Sequence, residues 1–227
     1  MTNIDYNVTR DYFKPTSAAK VATISIIIGV LTIFFAKNPV FLGITMLAFL
    51  IGISSIVSLN SKPKLEDVEK QIERVEAKII RQALDRLGLD IEDCKEIDPI
   101  LIQYKEYLNS FNNFMYNPKD DMPSNYKFLI IFCTEEQVYY YDYVFSLISN
   151  EYSENTGEYF YRDIVALNTQ NQKTEFTYEG RNYVRNLQSV SLSTAGGNAF
   201  TTAINKDDER AIQGMRQLLR EKKKALA

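Results

Sequence analysis

Two uncharged, mostly apolar runs stand almost back to back near the N-terminus, and they constrain the fold more than any other feature of the chain. Val21 to Ala36 (VATISIIIGVLTIFFA) is one of 16 residues. Ala18, Ala19 and Lys20, whose stem can lie along lipid while its ammonium reaches water, extend it to 19, or about 28 Å of helix. Pro39 to Ser61 (PVFLGITMLAFLIGISSIVSLNS) is a second run of 23 residues, about 34 Å. Each approaches the roughly 20 residues that cross a hydrocarbon core. Between them Lys37 and Asn38 precede Pro39, and an Asx-Pro step ends one helix and starts the next. The expectation is a two-helix transmembrane hairpin over residues 18–61, in contact with the lipid bilayer. A signal peptide cut after Ala36 would need a small residue where Phe34 stands, so the first span is expected to remain as an anchor.

Basic residues set the orientation. Arg10, Lys14 and Lys20 precede the first span, Lys37 alone marks the tip, and Lys62, Lys64, Lys70, Arg74 and Lys78 follow the second. Positive-inside bias then places both termini in the cytoplasm, making a multi-pass protein of the inner (plasma) membrane. Neither span carries Asp, Glu, Lys or Arg at depth, which argues against a pore or carrier built from one chain. Ser25-xxx-Gly29 and Ala48-xxx-Gly52 permit close helix approach, and hairpin packing accounts for them.

The net charge of −3 hides an asymmetry: residues 1–64 carry +4, leaving −7 on the remaining 163. A basic flank suits an anionic leaflet, whereas an acidic soluble part argues against nucleic-acid binding. The chain has no histidine and only two cysteines, Cys94 and Cys133. That removes Ser-His and Cys-His nucleophiles and nearly every zinc site, and a reducing compartment fits two thiols without a disulfide framework.

Residues 1–17 read as a cytoplasmic tail. After the spans, Leu65, Val68, Ile72, Val75 and Ile79 recur at alternating spacings of three and four, predicting an amphipathic helix over 65–87 that stops at Gly88. Two readings stay open: a coiled-coil stalk that makes a homo-oligomer, or a helix packed on its own domain. Asp98 as N-cap and Pro99 at the first helical position predict a second helix, with Ile100, Leu101, Tyr104, Leu108, Phe111 and Met115 as its stripe. Residues 62–118 thus read as a helical linker or stalk.

From residue 119 onward the period becomes extended. KFLIIFC (127–133) and QVYYYDYVFSLI (137–148) flank Thr134-Glu135-Glu136 as a hairpin. EYFYRDIVALNT (158–169), KTEFTYE (173–179), RNYVRN (181–186), LQSVSLST (187–194) and NAFTTAI (198–204) follow, the last two joined at Ala195-Gly196-Gly197. Six or seven strands lead to a closing helix capped by Asp207 or Asp208, with Ile212, Met215, Leu218 and Leu219 as its apolar stripe. The expected class is α+β: the transmembrane hairpin, the helical linker, and over residues 119–227 a small antiparallel β-barrel closed by the C-terminal helix.

Through EYFYRDIVAL, the Gly-Gly hairpin and the ERAIQGMRQLLREKKK helix, residues 126–224 resemble a bacterial pleckstrin-homology-like domain. The whole chain resembles uncharacterised bacterial proteins that join a two-span anchor to such a domain. The resemblance implies a scaffold for protein or lipid contacts. Phosphoinositide-binding members carry basic residues on the first hairpin, where this chain has Glu135 and Glu136.

Tyr139, Tyr141 and Tyr143 share one strand face, a candidate surface for a partner or ligand, although sheet packing with hydroxyls reaching water is the more ordinary reading. Gly196-Gly197 lacks the Lys-Ser/Thr of a phosphate loop. Asp120-Asp121 and Asp207-Asp208-Glu209 are explained by a turn and a cap, so no metal, cofactor or catalytic residue is expected. Two roles compete. One is a membrane-anchored interaction module for a protein or peptide, without catalysis. The other is an oligomeric effector whose domain senses a ligand while the hairpins perturb the membrane.

Overall fold

The computed structural model describes residues 4–15, 18–34, 39–94, 97–108 and 110–225. The expected hairpin tip at Lys37 and Asn38 lies outside them. In chain order the helices and strands are α1 (Tyr6–Phe13), α2 (Ala18–Ile33), α3 (Pro39–Asn60), α4 (Leu65–Leu87), β1 (Ile100–Glu106), β2 (Tyr116–Asn117), β3 (Met122–Pro123), β4 (Asn125–Cys133), β5 (Gln137–Ser146), β6 (Tyr152–Phe160), β7 (Ile164–Tyr178), β8 (Arg181–Thr194), β9 (Gly197–Ile204) and α5 (Glu209–Ala225). They form two compact units, one of residues 7–68 and one of residues 1–6 with 69–227.

In the helical unit, α3 is 22 residues long and is the one helix among the described residues long and apolar enough to cross a membrane. The expected first span is shorter among the described residues. α2 has 16 residues, about 24 Å, which falls below the hydrocarbon thickness. The two helices pack antiparallel. Gly29 lies under the Phe49 ring, Gly52 lies against Ser25 and Ile26, and Thr45 Oγ1 bonds Thr32 Oγ1 at 2.7 Å. Elsewhere α3 turns Leu47, Leu50, Ile53 and Val57 outward. The segment read as a tail contains α1.

The other unit is mixed α+β. Most of α4 belongs to it. Lys64 N–H donates to Asp67 Oδ2 (3.0 Å) at the start of α4. At its end Gly88 takes φ +66, and Leu89 N–H returns to Leu84 O (3.1 Å), a left-handed cap suited to glycine. Beyond Gly88 the expected helical linker stops. The segment from Ile100 is not a second helix but strand β1, antiparallel to β4 from Ile100–Ile131 to Glu106–Asn125. The apolar residues of ILIQYKE fit both periods, and its branched side chains settle into the sheet, where Ile100 and Ile102 are buried.

β1, β4, β5 and β6 form a four-stranded antiparallel sheet in the order β1-β4-β5-β6, and β7, β8 and β9 form a three-stranded one. The barrel expected from the sequence does not close. The chain leaves β6 through a helical turn at Tyr161–Asp163, which redirects β7 to pair with β8. At the other seam β1 and β9 share no ladder, although Asn205 Nδ2 donates to Gln103 O (3.2 Å). The sheets instead face one another through side chains. Leu129, Ile131, Val138 and Tyr140 from the first meet Val190, Leu192 and Phe200 from the second. Ile212, Met215, Leu218 and Leu219 of α5, the stripe expected from the sequence, join this core.

The opposite face of the first sheet is also dry. Phe128, Ile130, Phe132, Tyr141, Tyr143 and Phe145 are buried, as are Ile72, Val75, Ile79 and Ala83 of α4. Gln82 Nε2 of α4 donates to Tyr141 Oη (2.8 Å), and Arg86 pairs with Glu154 (2.6 Å). The heptad stripe is therefore spent on the chain's own sheet rather than on a coiled coil. Burying it there removes apolar area from water without needing a second chain.

Candidate functional site

Tyr139, Tyr141 and Tyr143 share the side of β5 that carries α4, and they do not form an open stacking face. Tyr141 is fully buried, Tyr143 nearly so, and Tyr139 half-buried. Tyr141 Oη donates to Glu154 Oε2 (2.6 Å) while accepting from Gln82. Rings of Tyr141, Tyr143 and Phe145 stack along the strand at 6.0 and 5.5 Å. Through its bond with Gln82, Tyr141 ties α4 to the sheet, whereas Tyr139 bonds Gln137 of its own strand.

The chemistry lies on the other face, between the two sheets. The β1–β4–β5 register lays inward-facing residues in rows: Ile100–Ile131–Tyr140, then Ile102–Leu129–Asp142, then Tyr104–Lys127–Val144, then Glu106–Asn125–Ser146. The first row is apolar, and polar groups enter in the rows beyond it. Opposite them the second sheet supplies Gln172, Thr174, Ser189 and Thr202. The result is a cavity of about 180 Å³ lined by these residues with Tyr104, Glu106 and Lys127.

Its electrostatics are unusual for an interior. Lys127 Nζ and Asp142 Oδ2 are 2.7 Å apart, with side chains only 11% and 17% exposed. Burial pushes the Asp142 carboxyl above its ordinary value despite that ion pair. Burial also raises Glu106, opposed by the Leu108 N–H bonded to its carboxylate and by Lys127, and assisted by Asp142. The Tyr104 hydroxyl is pushed up too, first by burial and then by Glu106. Two buried acceptors, Asp142 Oδ1 and Asn125 Oδ1, have no hydrogen-bond partner among the described residues. The same side chains are paired through their other polar atoms, Asp142 Oδ2 to Lys127 and Asn125 Nδ2 to Leu108 O (3.3 Å).

A bracket of aromatic rings stands beside Tyr104. Tyr107, Tyr116, Phe176 and Tyr183 pack with centroids between 4.9 and 6.4 Å. Arg185 binds Asp121 Oδ1 through Nε (2.9 Å) and a terminal nitrogen (2.7 Å), and Tyr116 Oη donates to the same oxygen (2.7 Å). Partial burial pushes Asp121 up, but these bonds outweigh it and hold the carboxyl below its ordinary value.

The phase of the strands carried part of this. Lys127 alternates with Leu129 and Ile131, and Asp142 with Tyr140 and Val144, so a charge stands at an inward position on each strand. Glu106 could not be placed while its segment read as helix. Both cysteines are buried and no disulfide joins them, and no group of three potential metal ligands occurs among the described residues.

A second feature is the open edge of the first sheet. β6 pairs with β5 over nine residues without a register shift, and no strand among the described residues pairs with its other side. Tyr152 and Phe160 at its ends are 52% and 39% exposed. The edge strand β7 of the second sheet differs. It carries Lys173 and a register irregularity between Ile164 and Ala166, two devices that discourage pairing. Comparison of the chain with protein-family models, curated proteins and solved structures finds no match.

Proposed function

We propose that this protein is a membrane-anchored interaction module, held by α3 with α2 and presenting its α+β unit to a protein or peptide in the cytoplasm. The observation that carries the binding role is the open edge of β6, paired on one side only. An extended segment that adds to such an edge satisfies both rows of backbone groups, and alternate side chains confer selectivity. The outward apolar side chains of α3 support the anchor, since such a surface is stable in lipid. Packing of α2 on α3 supports a second crossing as a hairpin, and the basic flanks support termini on the cytoplasmic side of the plasma membrane. Four strands, three strands and a terminal helix support the pleckstrin-homology-like reading. The effector alternative loses its main support, because the stripe that would oligomerise the chain is buried on its own sheet. No catalysis, cofactor or nucleic-acid partner is proposed.

Peptides selected from a random library on the full chain in lipid nanodiscs test this reading by backbone hydrogen exchange. Slowed exchange across residues 152–160 on peptide binding is expected. Selected peptides that bind while leaving those amides unchanged would refute it.

A further inference from the structure

Charge runs along the open edge of β6 in a single row. The β5–β6 register places Tyr152, Glu154, Thr156, Glu158 and Phe160 on the side of the sheet that carries α4, and Ser153, Asn155, Gly157 and Tyr159 on the other. The second row carries no charge. Residues 150–160 contain three glutamates and no lysine or arginine. Within the first row Glu154 is already engaged, by Arg86 at 2.6 Å and by the Tyr141 hydroxyl. Glu158 is exposed, two residues from the exposed ring of Phe160. Its surroundings are acidic as well. Burial first, then Glu158, Asp93, Cys94 and Glu136, push the hydroxyl of the facing Tyr139 above its ordinary value. Arg162 lies over the Phe160 ring at 4.9 Å and is 3.9 Å from Asp163.

Charge on an edge strand discourages indiscriminate pairing. When all of it has one sign it also selects, because opposite charges directly across two strands attract and like charges repel. A second copy of β6 is a poor occupant. Antiparallel pairing centred on Thr156 would set Glu154 of each copy against Glu158 of the other, and any acidic strand meets the same repulsion. We infer, resting on the strand-addition reading above, that the segment added to β6 is basic and extended, with a lysine or arginine facing Glu158 and apolar side chains facing Tyr152 and Phe160. The row reads aromatic, acidic, threonine, acidic, aromatic in either direction. Lysines four residues apart therefore present one to Glu158 whichever way the strand runs.

The test uses the full chain in phosphatidylcholine nanodiscs, a zwitterionic lipid that does not itself draw in basic peptides. Three peptides are titrated by fluorescence, while backbone exchange across residues 152–160 reports strand addition. The first is Val-Thr-Lys-Thr-Thr-Thr-Lys-Thr-Val, the second has both lysines replaced by glutamate, and the third has both lysines moved one position outward, into the row opposite the valines. The first should slow exchange across residues 152–160. It is expected to bind about fivefold or more tightly than the glutamate peptide, the size of one cross-strand pair changed from attraction to repulsion. It should also bind more tightly than the third peptide, which has the same charge. Glu158→Lys should remove the preference for lysine while slowed exchange persists. Should Glu158→Lys fail to fold, the peptide series on the unaltered chain still decides. Slowed exchange with equal affinities for the first peptide and either of the others, or a lysine preference that survives in folded Glu158→Lys, overturns the basic specificity and leaves strand addition standing. No slowing across residues 152–160 with any peptide overturns both.

Discussion

Removing one oxygen atom tests how α4 is held. In Tyr141→Phe the ring remains, but the hydroxyl that donates to Glu154 (2.6 Å) and accepts from Gln82 (2.8 Å) is gone. A hydrogen bond to a charged group contributes about 1.5–3 kcal/mol and a neutral one about 0.5–1.5. Glu154 keeps Arg86 at 2.6 Å, and Gln82 is only half-buried, so water recovers part of both losses. The expected cost is therefore about 2 kcal/mol, or about 4–8 °C in melting temperature for a unit of this size. Thermal melts of the full chain in detergent, followed by circular dichroism, measure it. The cycle with Gln82→Ala should show coupling of at least about 0.5 kcal/mol, since the two side chains touch across helix and sheet. Tyr139→Phe, on the same strand face but bonded to nearby Gln137, should cost much less. Additive effects of Tyr141→Phe and Gln82→Ala, or equal effects at Tyr139 and Tyr141, would refute the docking of α4 on its own sheet.

Further outcomes follow from other contacts. A Cβ on Gly157 would stand 2.4 Å from Tyr140 Cε1, so Gly157→Ala should destabilise by about 1–3 kcal/mol. Gly214 in α5 has open space, and Gly214→Ala should stabilise by about 0.4–1 kcal/mol. Denaturant titration separates the two. Asp121 has a folded pKa below its unfolded value. Its contribution is therefore present above about pH 4 and is lost as pH falls through the folded value. Arg185→Ala should lower stability at neutral pH, and the gap from the unaltered chain should narrow below about pH 4 in melts across pH. For topology, a periplasmic reporter at Lys37 should be active and reporters at residues 1 or 227 silent. The reverse pattern would overturn the proposed orientation.

The sequence was most legible where one period had no rival. The stripe of α5, the Gly-Gly turn before β9 and the alternation of β4 and β5 each admit one geometry. β1 was misread because Asp98-Pro99 is a good helix start and ILIQYKEY fits both periods. Pairing with β4, from Ile100–Ile131 to Glu106–Asn125, decides between them. β7 and β8 were read in pieces because Asn168 to Lys173 is polar on both faces, as befits a hairpin half of which stands in water. Barrel closure depends on whether β1 and β9 share a ladder, which no local pattern encodes. The cavity was half visible: Lys127 and Asp142 stood in phase with apolar neighbours, but its far wall comes from strands whose register only tertiary structure supplies.

The central position of β4 bears on how the chain reaches this fold. Phe128 to Cys133 is a run of six residues fully buried on both faces, rich in β-formers and free of charge. Such a run is a template for intermolecular pairing until it is covered. Its two covers are made at different times. α4 precedes β4 in synthesis and can shield one face as soon as the strand emerges. The other face waits for Val190, Leu192 and Phe200 of the second sheet and then for Ile212 to Leu219 of α5, the last of them about 4–17 s behind at roughly 5–20 residues per second. Until these arrive a nascent chain carries one dry face of FLIIFC incompletely covered. Slower elongation between β4 and α5 should therefore lower the yield of folded protein, whereas slower elongation between α3 and α4 should not.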